Sequence, residues 1–406
     1  MKLFIYLAWR NIWRNKTRSV ISIASILFAL IPAIAMRSMQ LGTYAHMIRN
    51  SVSFYSGYIQ IHALQYWDKR SLDHSFILNN SLLSEVDRTR HITFSTPRLE
   101  TFGLISGGDI TDGAMINGII PGNEDKLSGL QSRLVEGEYL HDGSADIMLG
   151  EGLARHLKVA TGDTVVILGQ GYHGVTSAGK YRVGGLIKFP IPELNSRVAY
   201  MNLSEAQILN WAEERVTSLT IMIDKQKHLD LVMVDLKNQL PEYEVMSWEE
   251  MQPELVQYIE MDNSSGIITL YIIYLIIAFG ILGTILMMTL ERQREFGMMI
   301  AIGMKLISLR VIVVLESLLI ALVGVVLGMA VSFPILLYYY YHPVLLKGEM
   351  AEIMLEYGFE PILPFSLEGA IFFWQGVTVF IIALGAALYP IWKIGHIKPV
   401  DALKTT

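Results

Sequence analysis

Long apolar runs in the C-terminal half constrain this sequence more than any other feature. Residues 265–290 contain no charged side chain over 26 residues, and residues 311–341 contain only one, Glu316. About 20 apolar residues are enough to span a bilayer as a helix. Both runs therefore predict transmembrane helices, and the segment 291–310 between them is held at one face of the membrane.

Two further runs complete a prediction of four spanning helices. Residues 19–36 and 369–392 are both uncharged. Ala33-Ile34-Ala35 resembles a signal-peptide cleavage site, but the apolar run is longer than the about 7–15 residues of a signal core, which favours an uncleaved span. A mean hydropathy of +0.39 and 52% hydrophobic residues agree with an integral membrane protein. The predicted spans are residues 19–40, 265–290, 311–341 and 369–392.

The distribution of basic residues predicts the orientation of these spans. Segments 1–18, 291–310 and 393–406 carry five, four and three Lys or Arg residues, whereas the short loop 342–368 carries one. Because Lys and Arg concentrate in cytoplasmic segments, both termini are expected in the cytoplasm and the loop 342–368 outside. Residues 1–18, with Trp9 and Trp13 one helical turn apart, predict an amphipathic helix on the inner membrane surface.

The long segment between the first two spans, about residues 41–262, contains no spanning run. Alternating apolar and polar residues predict strands, and helical patterns lie between them. The order of these elements predicts a split α+β domain outside the membrane. Its first part is formed by 41–105 and 212–262, and a β-rich part, about 106–211, is inserted into it.

The connector 291–310 has two different faces at helical spacing. Phe296, Met299, Ile300 and Ile307 fall on one face. Arg294, Met298, Ala301 and Lys305 fall on the other. The first face suits a membrane or neighbouring helices, and the second suits a ridge inserted into a groove of a soluble partner. A purely interfacial helix that anchors the loop is the alternative.

Two motifs support a family resemblance. The connector contains Arg294-Glu295-Phe296-Gly297-Met298 followed by Ala301-Ile302-Gly303. The C-terminus contains Tyr389-Pro390 and then Pro399-Val400-Asp401-Ala402-Leu403-Lys404. Together, in a chain with four predicted spans, they resemble the FtsX/MacB superfamily of ABC transporter permeases, and the resemblance covers essentially the whole chain.

The resemblance implies a scheme of mechanotransmission. A separate cytoplasmic ATPase dimer would bind ATP and Mg²⁺, so this chain would hold no cofactor and perform no catalysis itself. Two permease protomers, identical or related, would form a complex whose outer "porter-like" domains move, with any lipid-binding cleft between spans one and two of opposing protomers. The residues expected to couple to the ATPase are Arg294, Glu295, Phe296, Gly297, Met298, Ala301, Gly303 and Lys305.

Within the superfamily, the lipoprotein-releasing (LolC/LolE-type) branch is favoured. Leu7-Ala8-Trp9-Arg10-Asn11 and Gly57-Tyr58-Ile59-Gln60-Ile61 resemble that branch most. The cargo would be lipoproteins moved from the inner membrane toward the outer membrane. A signal transducer that controls a periplasmic partner, and MacB-like efflux of peptides or small molecules, are the alternatives.

The third predicted span carries small residues and one acid. Gly324, Gly328 and Ser332 recur at four-residue spacing, which permits close helix packing either within the chain or across a dimer. Glu316 lies near the inner interface, where snorkelling or pairing with a nearby cation is favoured over a functional role.

Other patterns resemble chemical sites but predict none. Gly174 to Lys180 nearly spells a phosphate-binding loop, yet Tyr181 stands where Ser or Thr is required and a strand follows, so we expect a hairpin turn. The ten histidines show no metal-binding spacing such as HExxH, and His156 is expected to be structural. There is no cysteine, and a net charge of −6 gives no reason to expect nucleic acid.

Overall fold

The computed structural model describes residues 2–14, 16–189, 191–356 and 360–396. The predicted motif Pro399 to Lys404 lies outside this range. The α-helices in chain order are α1 (Lys2–Arg14), α2 (Lys16–Ser51), α3 (Tyr66–Lys69), α4 (Asn80–Arg88), α5 (Pro121–Ser128), α6 (Glu151–Leu157), α7 (Pro192–Arg197), α8 (Leu203–Leu209), α9 (Leu229–Gln239), α10 (Trp248–Met251), α11 (Pro253–Glu291), α12 (Gln293–Ala301), α13 (Leu306–Tyr341), α14 (Glu349–Glu356), α15 (Gly369–Ala386) and α16 (Leu388–Gly395).

The described chain forms two compact units. The first comprises residues 2–46, 258–345 and 362–396, and the second comprises 47–257 and 346–361. Four stretches of helix in the described part are long and apolar enough to cross a membrane: α2, α11, α13, and α15 together with α16. The prediction of four membrane-spanning helices is therefore confirmed. The first three helices, of 36, 39 and 36 residues, extend beyond the apolar runs that predicted them.

Helices α2 and α13 pack closely through the small residues predicted on the third span. A Cβ atom added at Gly324 would lie 2.8 Å from Cβ of Ile26, and one at Gly328 would lie 2.9 Å from Cδ2 of Leu30. The Ser332 hydroxyl donates a hydrogen bond of 2.7 Å to the carbonyl of Gly328, within the helix. These glycines therefore allow α13 to pack closely against α2 within the chain.

The second unit is built on one large mixed sheet. The strands of the described chain are β1 (Ile59–Ala63), β2 (Phe76–Ile77), β3 (Ile92–Gly107), β4 (Ile110–Ile119), β5 (Leu134–Gly137), β6 (Ile147–Gly150), β7 (Thr164–Gln170), β8 (Thr176–Ile187), β9 (Val198–Asn202), β10 (Arg215–Val216), β11 (Ser218–Ile223), β12 (Tyr243–Ser247), β13 (Val344–Leu345) and β14 (Ile362–Leu363). The large sheet has the strand order β12-β1-β11-β3-β4-β9-β6-β8-β5, and β7 pairs with both β3 and β8. The pairs β2–β10 and β13–β14 form separate two-stranded sheets, and β13–β14 belongs to the first unit.

Strand β3 is shared by the two parts of this domain. Its residues 92–98 pair with β11, and its residues 99–107 pair with β4. Separate apolar cores follow the same division, one around Ile61 and Leu219 and the other around Leu99 and Ile147. The change of partner from β11 to β4 near residue 99 therefore lies inside β3, and the predicted start of the β-rich part, about residue 106, falls near the end of the same strand.

A buried ion pair fastens the junction inside β3. The guanidinium of Arg98 donates hydrogen bonds of 3.0 and 2.6 Å to the two carboxylate oxygens of Glu124 on α5. The side chains are only 4% and 1% exposed. Such a bidentate pair fixes orientation as well as distance. It holds α5 of the β-rich part against the strand that both parts share.

The segment that resembles a phosphate-binding loop lies in a β-hairpin, but the turn of that hairpin precedes most of the predicted segment 174–180. Strands β7 and β8 pair in antiparallel register from Thr164 opposite Arg182 to Gln170 opposite Thr176. A short 3₁₀ turn, Tyr172–Gly174, lies between them. Gly179 and Lys180 lie within the extended strand β8, so no helix begins there to present its amides to a phosphate.

Candidate coupling site between the second and third spans

The connector between the second and third spans is a short helix followed by a turn. Helix α12 ends at Ala301, and α13 begins at Leu306 after Gly303, which has φ +103°. A side chain at that φ is strained, so glycine permits the turn. The prediction that Ile307 shares a face with Phe296 is wrong. Ile307 lies on α13 beyond the turn and is 69% exposed.

One face of α12 is anchored to the membrane unit. Phe296 is 1% exposed and packs in a cluster with Leu309, Val313 and Ile394. Met299 and Ile300 are partly buried against the same cluster, as their helical spacing predicted. Gly297 is also buried, which places it on the anchored side. The aromatic ring therefore joins α12 to α13 and α16.

The opposite side of the connector is an exposed ridge. Its apolar centre includes Met298, 44% exposed, and Ile302, 88% exposed. The sequence analysis did not assign Ile302 to this surface. Its position four residues after Met298 was the available signal, because residues at that spacing share one face of a helix. The exposed ridge consists of Arg294, Met298, Ala301, Ile302 and Lys305.

A buried ion pair lies beneath the exposed ridge. Nη1 of Arg292, between α11 and α12, donates a 2.7 Å hydrogen bond to Oε1 of Glu316 on α13. The two side chains are 4% and 6% exposed. The expectation that Glu316 pairs with a cation is confirmed, and the cation is Arg292. Removing one member of such a pair typically costs about 3–5 kcal/mol, because the other charge stays buried without a partner.

Further ion pairs connect the same segment to the N-terminal helices. Nε of Arg292 contacts Glu295 at 3.3 Å, and Arg14 at the end of α1 contacts the same carboxylate at 3.2 Å. Arg18 near the start of α2 contacts Glu291 at 2.8 Å. Glu295, predicted as a coupling residue, therefore links α12 to α1. These outer pairs are partly exposed, and each contributes at most about 1 kcal/mol.

A polar cluster joins α2 and α11 within the first unit. Arg37 donates a hydrogen bond of 2.8 Å to Asn263 and another of 2.7 Å to Gln40. The hydroxyl of Tyr44 donates a 2.6 Å hydrogen bond to Asp262. These contacts hold the two helices together at the ends remote from α12.

Two family models match this chain and show which family it belongs to. Residues 19–239 match the model of the MacB-like periplasmic core domain. Residues 267–399 match the model of the FtsX-like permease C-terminal region. The chain belongs to the FtsX/MacB superfamily of ABC transporter permeases. This FtsX/MacB permease is accordingly an inner-membrane protein with a large periplasmic domain between its first and second spans.

Individual relatives share low sequence identity with this permease. The permease is 25% identical over 332 residues to the lipoprotein-releasing system transmembrane protein LolC of Xylella fastidiosa strain 9a5c, covering 76% of this chain and 77% of that one. It is 21% identical to LolE of Haemophilus influenzae, again over 76% and 77% of the two chains. The periplasmic region of MacB from Actinobacillus actinomycetemcomitans superposes with a TM-score of 0.34 at 17% identity, covering 48% and 91%.

The residues predicted to couple this permease to an ATPase divide into three groups. Arg294, Met298, Ala301 and Lys305 are exposed and belong to the ridge. Phe296 and Gly297 are buried, and Glu295 is engaged in ion pairs. Gly303 forms the turn into α13. The connector therefore exposes a small apolar surface with two cations. Its opposite side is held in place by apolar packing and by ion pairs.

Proposed function

We propose that this permease subunit releases lipoproteins from the inner membrane toward the outer membrane. The observation that carries the proposal is the match to LolC and LolE proteins, whose names describe a lipoprotein-releasing system, over about three quarters of both chains. The match includes both the periplasmic domain and the spans, so it is not a likeness of one module alone.

The exposed ridge is the surface on which a separate ABC ATPase acts. A dimeric ATPase in the cytoplasm binds ATP and Mg²⁺, and both termini of the permease lie on the same side as the ridge. Met298, Ala301 and Ile302 fit an apolar groove, and the flanking Arg294 and Lys305 favour a groove with an acidic rim. The 88% exposure of Ile302 supports this role, since large apolar groups clustered at a surface often mark an interface.

Movement of the ridge passes to three helices through named contacts. The Arg292–Glu316 pair and the ring of Phe296 connect α12 to α13. The Arg14–Glu295 and Arg18–Glu291 pairs connect the same region to α1 and to the first turn of α2. A rigid base is required here, because a loosely held helix would absorb the displacement instead of transmitting it.

The long helices then act as levers on the periplasmic side. Each of α2 and α11 continues without a break into residues of the second unit. A second permease protomer, identical or related, supplies the opposing spans, and the acyl chains of the cargo bind between them. A differential binding energy of a few kcal/mol between two conformations is enough to shift their populations by orders of magnitude.

Native mass spectrometry of the gently purified complex, before and after ATP, tests the proposal. We expect a mass for two ATPase copies, two permease protomers and a triacylated polypeptide that departs when ATP is added. A complex that retains a soluble periplasmic partner and contains no lipidated polypeptide would instead assign the protein to signal transduction. A small molecule or peptide lost on ATP addition would assign it to efflux.

A further inference from the structure

Three ligand-type side chains meet at one corner of the periplasmic domain. Nδ1 of His91 lies 3.1 Å from Oδ2 of Asp224, and Nδ1 of His228 lies 2.7 Å from Oδ1 of the same carboxylate. The two imidazole ring centres are 3.9 Å apart. One ligand atom from each residue can be chosen such that all three lie within 4.8 Å of one another.

The fold brings these residues together from distant parts of the sequence. His91 directly precedes β3, and Asp224 directly follows β11, the strand paired with it. A bulge between Met222 and Ile223 shifts the register at this end of the pair, which re-aims the residues that follow. His228 lies one helical turn after Asp224, at the N-terminal end of α9.

The backbone at His91 is held in an unusual conformation. Its φ is +71°, a left-handed value that is uncommon for a residue other than glycine. The amide of Asp224 donates a 3.0 Å hydrogen bond to the carbonyl of His91. This contact fixes the imidazole of His91 beside the carboxylate. Strained backbone of this kind concentrates at functional sites.

From this geometry we propose that His91, Asp224 and His228 form a binding site for a borderline transition-metal ion such as Zn²⁺. Two imidazole nitrogens and one carboxylate oxygen are a ligand set that Zn²⁺ accepts, with a fourth position left for water. Tetrahedral Zn²⁺ with bonds of about 2.0–2.1 Å needs ligand atoms about 3.3 Å apart. The two nitrogen–oxygen distances, 3.1 and 2.7 Å, lie close to that separation.

The partial exposure of the cluster fits such a site. The side chains of His91, His228 and Asp224 are 19%, 22% and 37% exposed, so an ion can enter from solvent without disturbing the core. Bound metal connects the junction between α4 and β3 to the junction between β11 and α9. A purely hydrogen-bonded triad, in which each imidazole donates a proton to one carboxylate oxygen, is the competing account.

Zinc titration of the full-length chain distinguishes these accounts. The protein is purified in lipid nanodiscs with a tag that contains no histidine, and binding is followed by calorimetry. We expect one Zn²⁺ per chain and a rise in melting temperature with added Zn²⁺. Asp224→Asn preserves the shape of the side chain, and His228→Ala removes one imidazole. Each is expected to weaken binding by more than about tenfold, since losing a direct ligand costs at least as much as losing a supporting contact.

His156→Ala is the matched control. His156 lies 3.6 Å from Asp112 and is 63% exposed, so it offers a His–Asp pair of the same chemistry without a third ligand. Its loss is expected to leave the titration unchanged. Co²⁺ in place of Zn²⁺ adds a visible absorption band that Asp224→Asn abolishes. Equal zinc binding by wild type and Asp224→Asn, or no binding by wild type, would overturn the proposal.

Discussion

Arg292 and Glu316 are 24 residues apart in sequence, and their side chains meet at 2.7 Å in an almost solvent-free environment. The contact lies directly beneath α12 and joins it to the third span. A buried pair of this kind contributes little net stability relative to an apolar pair of similar volume, but it is sensitive to the loss of one member. The pair fixes the orientation of α12 relative to α13, and the proposed transmission of force requires this fixed orientation.

Glu316→Ala is expected to lower the free energy of unfolding by about 3–5 kcal/mol, because Arg292 then remains buried without its partner. The measurement is thermal unfolding of the permease in detergent. Glu291→Ala is the matched control. It removes the partly exposed pair with Arg18 and is expected to cost less than about 1 kcal/mol. Equal losses of unfolding free energy in the two variants would show that burial does not determine the cost of losing either ion pair.

Aspartate substitutions on the exposed ridge are expected to abolish capture of the ATPase. A carboxylate at Met298 or Ala301 places a charge without a partner in an apolar groove and repels an acidic rim. Ile302→Asp alone is expected to weaken capture because that side chain is the most exposed of the set. Co-purification of the ATPase with each variant is the measurement, and Met298→Leu is the control. Normal capture by the double variant Met298→Asp/Ala301→Asp would remove the ridge from the interface.

Gly303→Ala is expected to uncouple ATP hydrolysis from cargo release while ATPase capture is retained. Among the residues that the structure describes, none has an atom within 4 Å of a Cβ added at this position, so the effect comes from the backbone and costs about 1–2 kcal/mol. Gly303→Leu is expected to have the same effect. Gly283→Ala is the control, since it also meets open space but lies within the helix α11. The ratio of cargo released to ATP hydrolysed is measured. An unchanged ratio in both Gly303 variants would reduce Gly303 to a simple turn residue.

The periplasmic domain is expected to lose stability in mild acid through His62. Burial lowers the pKa of His62 to about 4, and Nδ1 lies 2.9 Å from the carbonyl oxygen of Thr217. The unfolded chain takes up a proton below about pH 6.5, whereas the folded chain does so only near pH 4. Neutral His62 therefore makes its full contribution to the free energy of unfolding above about pH 6.5. This free energy falls by up to about 3 kcal/mol as the pH falls toward 4.

His62→Asn removes this titration and retains a donor near Thr217. Unfolding is measured at pH 7.5, 5.5 and 4.5 for wild type, for His62→Asn and for the exposed control His156→Asn. We expect a shallower loss of stability with acid only in His62→Asn. The same pH dependence in all three proteins would mean that other groups account for it.

The four membrane-spanning helices were predictable because lipid imposes a simple rule on sequence. Runs such as 265–290 must be apolar along their whole length, and this signal survives without any knowledge of tertiary contacts. The apolar side of α12 was predictable for a similar reason, since Phe296, Met299 and Ile300 follow the helical repeat. The turn at Gly303 broke that repeat and moved Ile307 off the buried face.

Features that depend on distant residues were not predictable in detail. The sequence pattern predicted a cation partner for Glu316 but could not select Arg292 over Arg310, which is nearer in the chain. The change of partner within β3, from β11 to β4 near residue 99, was not predictable, because alternation along one strand does not reveal which strand it pairs with. The cluster of His91 and Asp224 joins residues 133 positions apart, which no local spacing motif can detect.

In the proposed function, ATP drives this permease to remove lipid-anchored cargo from the membrane. The most direct measurement places the complete complex in proteoliposomes with a fluorescent triacylated polypeptide and a soluble acceptor, and follows fluorescence in the soluble fraction. We predict release that requires ATP and that is lost in Met298→Asp/Ala301→Asp but kept in Met298→Leu. ATP hydrolysis at the full rate, with the polypeptide still in the membrane, would contradict the account.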